Sequence, residues 1–245
     1  MLRTILSGPR TVIAYLVGAL ATIVLGTYAL ILGKVNPTSR QIAPVMRTWA
    51  RIVLWVSGVS WTVHGLDNID RSQSYVVVSN HISNLDPPFH IASLPVSIRF
   101  LAKKELFKVP LFGSAMRSIG IVETDRAGTA SAHRAINTQV EKNVERGLSL
   151  MIYPEGTRSR DGQMRPFKKG AFRIAADTDL PIVPVAITGT DAAFPPGSRL
   201  IRGGKAVMAI GEPIPTADVE PTGLDELRDR VKSEVERLQG TLTSA

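Results

Sequence analysis

Three hydrophobic patterns follow one another along the 245 residues of the chain. The first is unbroken: from Thr11 to Gly33, TVIAYLVGALATIVLGTYALILG, 23 residues pass without a charged side chain. As a helix this run is ~35 Å long, against the ~30 Å hydrocarbon layer of a bilayer. The second is helical in period. Between Ser39 and Val63, Arg40, Arg47 and Arg51 fall on one narrow stripe, with Ile42, Val45, Met46, Trp49, Ile52, Val53 and Val56 opposite, which predicts an amphipathic helix. Beyond Gly65 the pattern is that of a globular domain. Short apolar runs predict strands at WTVHG, SYVVVS, IRFLAK, GIVE, LSLMIYPE, PIVPVAIT and KAVMAIG, and helices near Pro87–Ala92, Val109–Ile119, Ala127–Arg146, Lys169–Asp177 and Gly223–Gln239. Strands alternating with helices predict an α/β fold with a mixed, largely parallel sheet covered by helices. The RGGK turn at Arg202–Lys205 predicts an antiparallel pair joined through Gly203-Gly204. In the last helix Leu224, Leu227, Val231, Val235 and Leu238 share one face and read as core.

The expected organisation is therefore a membrane-associated two-helix segment over residues 1–63 and an α/β domain over 64–245. A cleaved signal peptide is disfavoured, because its apolar core is normally ~7–15 residues. Charge sharpens the membrane reading. Of a net charge of +8, residues 1–66 carry six basic side chains (Arg3, Arg10, Lys34, Arg40, Arg47, Arg51) and no acid, an asymmetry that calls for an anionic partner. The long apolar run points to a phospholipid surface and away from nucleic acid. The second helix then reads as lying in the headgroup layer with its arginines toward lipid phosphates; packing on the soluble domain is the alternative. Basic residues on both sides of the apolar run leave two arrangements, a true span or a hairpin in one leaflet with both ends cytoplasmic. The expected location is the cell membrane with the α/β domain on the cytoplasmic side. The absence of cysteine excludes a thiol nucleophile, thiolate metal sites and disulfides.

The candidate chemistry starts at SNHISNLDPPFH, Ser79 to His90, directly after the buried run Tyr75–Val78. A strand would deliver His81 to its carboxyl end, where open α/β sheets bind ligands. Asp86 followed by Pro87 reads as a helix N-cap with proline at the first helical position. A loop of that length lets the carboxylate reach one ring nitrogen of His81 while the other faces a cleft, the arrangement of an oriented general base. Asp86 as a simple cap and His81 as an ordinary loop histidine form the plainer reading, and a metal site built from His81, Asp86 and His90 is a third. A second stretch, YPEGTRSRDG from Tyr153, follows another buried strand. Gly156 permits close backbone approach, and Thr157, Arg158 and Arg160 suit phosphate recognition. Arg165, Lys168, Lys169 and Arg173 follow it; Lys103 and Lys104 in AKKEL and Arg126 in GIVETDR precede it.

In that order NHISNLD, GIVETDR, EGTRS and VPVAI resemble the four signature blocks of the 1-acylglycerol-3-phosphate (lysophosphatidate) acyltransferase family, with similarity over about residues 60–215. The resemblance implies an α/β acyltransferase domain at the membrane that moves a fatty acyl chain from acyl-CoA or acyl-carrier protein to the sn-2 hydroxyl of lysophosphatidate, giving phosphatidate. It implies His81 as base and Asp86 as its orienter. Glu155, Gly156, Thr157 and Arg158 become the acceptor-binding block, with Lys103, Lys104 and Arg126 near the phosphate. Neither metal nor cofactor is expected beyond the acyl donor as co-substrate. The expected partners are membrane phospholipid, lysophosphatidate and the donor, and no nucleic acid. There is no G-x-S-x-G elbow, which fits direct transfer better than an acyl-enzyme; a backbone amide near Gly156 is the candidate oxyanion donor. Another lysophospholipid as acceptor, a non-catalytic binder of anionic lipid and a metal-dependent phosphoesterase are the competing functions.

Overall fold

The computed structural model describes residues 7–124, 130–159 and 163–243. Two helices come first, α1 (Ser7–Val35) and α2 (Ile42–Val56). Then follow β1 (Val59–His64), β2 (Val76–Ser79), α3 (Asp86–Ser93), β3 (Ile98–Lys103), α4 (Phe112–Ser118), β4 (Val122–Thr124), α5 (Ala130–Val144) and β5 (Ser149–Ile152). The chain closes with α6 (Gly170–Asp177), β6 (Ile182–Thr188), α7 (Thr190–Ala193), β7 (Gly204–Ile210) and α8 (Leu224–Thr243). The seven strands form one sheet in the order β1-β7-β6-β2-β5-β3-β4. From β6 to β4 neighbours are parallel; β7 is antiparallel to β6 and parallel to β1.

β2 and β5 are buried along their whole length, as strands covered on both faces by helices must be. Alternation then sorts their side chains into two cores. Val77, Met151, Phe100 and Val185 join the core under α1, α2 and α3. Val76, Val78, Leu150 and Ile152 join the other, with Val140 of α5, Phe172 of α6 and Val231 and Val235 of α8. All seven expected strands and the five expected helices of the domain are present. The connection between β6 and β7 differs from expectation. It is no two-residue glycine turn but the segment 189–203, which carries α7, with Gly203-Gly204 only at the entry to β7.

The N-terminal helices differ from each other in what they touch. α2 turns Ile42, Met46, Ala50 and Leu54 into the protein core. Arg47 donates through Nη2 to the carbonyls of Leu94 (3.2 Å) and Pro95 (2.9 Å), closing the end of α3. Burial, with Arg51 and Arg71 adding repulsion, lowers the pKa of its guanidinium. This corrects the expectation of a helix in the headgroup layer: its apolar face is spent on the domain, and Arg47 is tied to backbone carbonyls there. α1 is the opposite case. Val12, Leu16, Leu20, Ile23, Val24 and Ile31 are all more than half exposed on its outer side, and among the described residues it is the one helix long and apolar enough to cross a membrane. Its inner side is fastened at both ends. Thr11 Oγ1 accepts the Ile201 amide (2.8 Å), the Tyr15 hydroxyl donates to Arg199 O (3.3 Å), and Arg10 donates to Arg202 O. At the other end Gly33 lies so close to Ser118 of α4 that a Cβ would stand 2.5 Å from the Ser118 carbonyl oxygen. β1 begins at Val59 and pairs with β7 along its length, so the sheet already includes the last residues before position 64.

Candidate active site

β2 stops at Ser79 because the next residue replaces a backbone rung with its side chain. Asn80, buried, donates through Nδ2 to Ile187 O (3.0 Å) and accepts the Ile187 amide at Oδ1 (2.9 Å), continuing the ladder with β6. The backbone of His81 is thereby free to turn away at the carboxyl edge of the parallel strands. It is caught by the loop that follows β5: the His81 amide donates to Glu155 Oε1 (2.7 Å), and the Ser159 amide donates to His81 O (2.8 Å).

The His81 ring is fixed by Asp86, with Nδ1 2.7 Å from Oδ2. The same oxygen accepts the amides of Ile82 and Ser83, each at 2.7 Å, and Oδ1 accepts the Thr190 hydroxyl at 2.6 Å. Three donors already aimed at this carboxylate make it an acceptor, so the proton of the pair sits on Nδ1 and Nε2 keeps its lone pair. Asp86 is fully buried, whereas the His81 side chain is 18% exposed. Sequence placed Asp86 as an N-cap with Pro87 at the first helical position; in the structure Leu85 is the N-cap, Asp86 opens α3, and its side chain turns back into the preceding loop. Thr190, brought in by α7 from the far side of β6, had no sequence signal tying it to this site.

Behind the pair lies a wall of uncharged rings. Tyr153 stacks on His81 with centroids 4.1 Å apart and planes 11° apart. Its hydroxyl is 3.2 Å from Nδ1 of His90, which donates to the Asp86 carbonyl one turn earlier in α3 (2.8 Å). Desolvation pushes the His90 pKa down from 6.5 to about 4, against the pull of Asp86. Burial, followed by the Asp86 charge, pushes the Tyr153 hydroxyl up. The geometry gives the metal reading no support: among the described residues no group of three His, Asp or Glu side chains could hold an ion, and both oxygens of Asp86 are already taken by hydrogen-bond donors.

Glu155 is buried with both oxygens occupied, Oε1 by the His81 amide and Oε2 by the Arg165 amide (2.9 Å). Desolvation raises its pKa while the two amides pull it back. Its carboxylate holds backbone, a different task from the acceptor contact that the resemblance implied. Gly156 sits at φ +70°, and a Cβ there would meet Lys168 Nζ at 2.9 Å. The Gly156 amide donates to Tyr153 O (3.0 Å), which removes it as the oxyanion donor. Thr157 is exposed, and Arg158 donates to Asn84 Oδ1 (2.7 Å), so that the guanidinium stands over the His81–Asp86 loop. Lys103 and Lys104 are exposed at the end of β3, on the same sheet edge with β5 between them and β2. Lys169 is turned to Asp225 of α8 (2.8 Å). Arg126 and Arg160 lie outside the described residues.

An apolar cavity of about 300 Å³ reaches this loop. Asn84, Pro87 and Pro88 form one wall, Phe100 and Leu106 another, and Leu25, Gly26 and Ala29 of α1 with Trp49 of α2 the rest. A larger cleft of about 670 Å³ between the end of β7 and α8 holds none of the residues above; Glu234 and Arg237 pair within it.

Comparison with known proteins gives a consistent picture. Over 181 residues, 74% of this chain, it is 34% identical to a protein of Limnanthes douglasii named 1-acyl-sn-glycerol-3-phosphate acyltransferase, covering 63% of that relative. It is 37% identical over 172 residues to the chloroplastic 1-acyl-sn-glycerol-3-phosphate acyltransferase BAT2 of Brassica napus, of which it spans 49%. The matches thus span about half to two thirds of these relatives. The crystal structure of the 1-acyl-sn-glycerophosphate (LPA) acyltransferase PlsC from Thermotoga maritima superimposes with a TM-score of 0.84 at 28% identity, over 99% of this chain and 98% of that one. A family model, Acyltransferase, matches residues 60–188, which contain both halves of the His81 site and the loop after β5. With more than half of its length matched by that model, the chain belongs to the acyltransferase family.

Proposed function

We propose that this chain is a 1-acylglycerol-3-phosphate O-acyltransferase, moving a fatty acyl group from acyl-CoA or acyl-carrier protein to the sn-2 hydroxyl of lysophosphatidate. The observation that carries this reading is the His81–Asp86 pair at 2.7 Å beside an apolar cavity, with the Arg158 guanidinium over the connecting loop. The hydroxyl of the acceptor is a poor nucleophile at neutral pH, and the thioester of the donor is already activated. His81 Nε2 takes the proton as the acceptor oxygen attacks the thioester carbonyl; the carbon–sulfur bond breaks as the tetrahedral intermediate collapses, and the proton leaves with the thiol. Asp86 holds the tautomer and stabilises the imidazolium. Arg158 and the lysines at the same edge attract the phosphate, and an acyl chain fits the cavity, whose volume is at the lower end of small-molecule pockets, ~300–1,000 Å³.

The exposed apolar side of α1 supports attachment to phospholipid, where such an acceptor resides. In this reading α1 meets the membrane, α2 packs between it and the α/β domain, and the domain lies on the cytoplasmic face.

Purified protein incubated with lysophosphatidate and radiolabelled acyl-CoA or acyl-carrier protein tests the proposal. Phosphatidate should form with or without chelator, and His81→Ala should lose ~10²–10⁴ of the turnover. Labelled product from the alanine variant at wild-type rate would remove His81 from the mechanism. Lipid binding without product would favour the non-catalytic reading, and faster acylation of a different lysophospholipid would move the acceptor assignment to that lipid.

A further inference from the structure

One hydrogen bond does not fix an imidazole. The bond to Asp86 holds Nδ1 of the His81 ring, but coupled rotation about the Cα–Cβ and Cβ–Cγ bonds can still tilt the ring on that contact and move Nε2. The contact that blocks this rotation is on the ring face, where Tyr153 lies nearly parallel at 4.1 Å. Tyr153 is itself held, by its hydroxyl at His90 Nδ1 (3.2 Å) and by Phe100, stacked at 6.1 Å and 26°. Phe100 also lines the apolar cavity.

We propose that Tyr153 is a positioning residue for acyl transfer: its ring face sets the plane of the His81 imidazole and so the direction of Nε2, and Phe100 behind it ties that plane to the cavity wall. The proposal rests on the reading of His81 as the general base. Its physical basis is that a base works only within hydrogen-bond reach of the proton it takes, and a misplacement of ~1 Å costs about 10²-fold in rate. Aromatic stacking supplies this restraint without a polar group that would compete for Nε2.

Tyr153→Phe keeps the ring face and loses only the contact with His90; Tyr153→Leu removes the face. Kinetics should show kcat of the leucine variant reduced ~10²-fold with both Michaelis constants within about twofold of wild type, and the phenylalanine variant within about threefold throughout. A second readout needs no turnover. In ¹³C-histidine-labelled protein in detergent micelles, the His81 Cε1–H resonance, assigned by its loss in His81→Ala, should be narrow and shifted upfield by the tyrosine ring in wild type and Tyr153→Phe. In Tyr153→Leu it should lose that shift and broaden. Should the leucine variant fail to fold, Tyr153→Met fills the space without a ring face and is expected to behave the same way. Wild-type kcat in the leucine or methionine variant, an unchanged His81 resonance, or a phenylalanine variant as impaired as leucine would each overturn the proposal. Wild-type protein without acyl transfer would instead sink the acyltransferase reading, and the resonance comparison would still decide whether Tyr153 orders His81.

Discussion

His90 takes no part in the proposed chemistry, yet its burial sets a measurable property of the fold. Its pKa is pushed from 6.5 down to about 4, so between those values the unfolded chain binds a proton that the folded chain refuses. Stability is complete above pH 6.5 and is lost as pH falls toward 4, by about 2 kcal/mol at pH 5 from this residue. Thermal melts between pH 7.5 and pH 5 should fall accordingly, and His90→Leu, though less stable at pH 7.5, should flatten the slope; parallel slopes would show that His90 is not the group that titrates. Arg158 carries the second expectation at this scale. A guanidinium anchored at one nitrogen on Asn84 keeps a planar fork that an ammonium cannot copy. Arg158→Lys should therefore raise the Michaelis constant for lysophosphatidate by about tenfold and leave that for the donor nearly unchanged. A change confined to the donor would reassign Arg158 to the donor's phosphates. Both histidines of the site were visible in the sequence, each at readable spacing from Asp86, but nothing in that spacing showed that His90 is buried and bound to the Asp86 backbone. Tyr153 and Thr190 were hidden because stacking and long-range hydroxyl contacts leave no period.

At the scale of elements, the strands were legible because burial on both faces demands runs such as Val76–Val78 and Ile182–Ile187, and few other structures use them. The orientation of α2 was not legible. An amphipathic stripe states that one side of a helix is apolar; it does not say whether protein or lipid covers that side. Here the decision lay in Leu94 and Pro95, whose carbonyls at the end of α3 lack helical partners and are met by Arg47. Arg47→Gln should thus lower the melting temperature, at a cost of about 1 kcal/mol for two partly buried charge-assisted bonds. Liposome flotation across increasing anionic lipid should not distinguish it from wild type. A variant of normal stability that floats less well on anionic vesicles would return Arg47 to the membrane surface. The long link between β6 and β7 was missed for a related reason: Gly203-Gly204 signals backbone freedom, but that freedom serves the approach of Gly58 and Arg10 to Gly203, where a Cβ would lie 2.8 Å from Gly58 O.

At the scale of the molecule, the open question in the sequence was a span against a helix lying in one leaflet, and the way α1 is fastened argues for the second. Its 29 residues make a rod of ~43 Å, long enough to cross the ~30 Å hydrocarbon layer. Yet Thr11 and Tyr15 at one end bond the segment 199–201, and Gly33 at the other touches α4, so the rod lies along the domain from end to end. A crossing helix would carry its docking partners, with Arg199 and Arg202 among them, into hydrocarbon, where a charged side chain costs at least ~2.5–3.5 kcal/mol. In the plane of the membrane only the outer row of Val12, Leu16, Leu20 and Ile23 needs to enter the acyl region. The chain has no cysteine, so single cysteines report position cleanly. Gly8→Cys, Asn36→Cys and, on the α/β domain, Ser233→Cys occupy exposed positions. In sealed vesicles all three should react with a membrane-impermeant maleimide from the same side, and none should require detergent to become accessible. Protection of either Gly8→Cys or Asn36→Cys alone, relieved by permeabilising the vesicle, would establish a true span and would mean that α1 parts from the domain when it meets the bilayer.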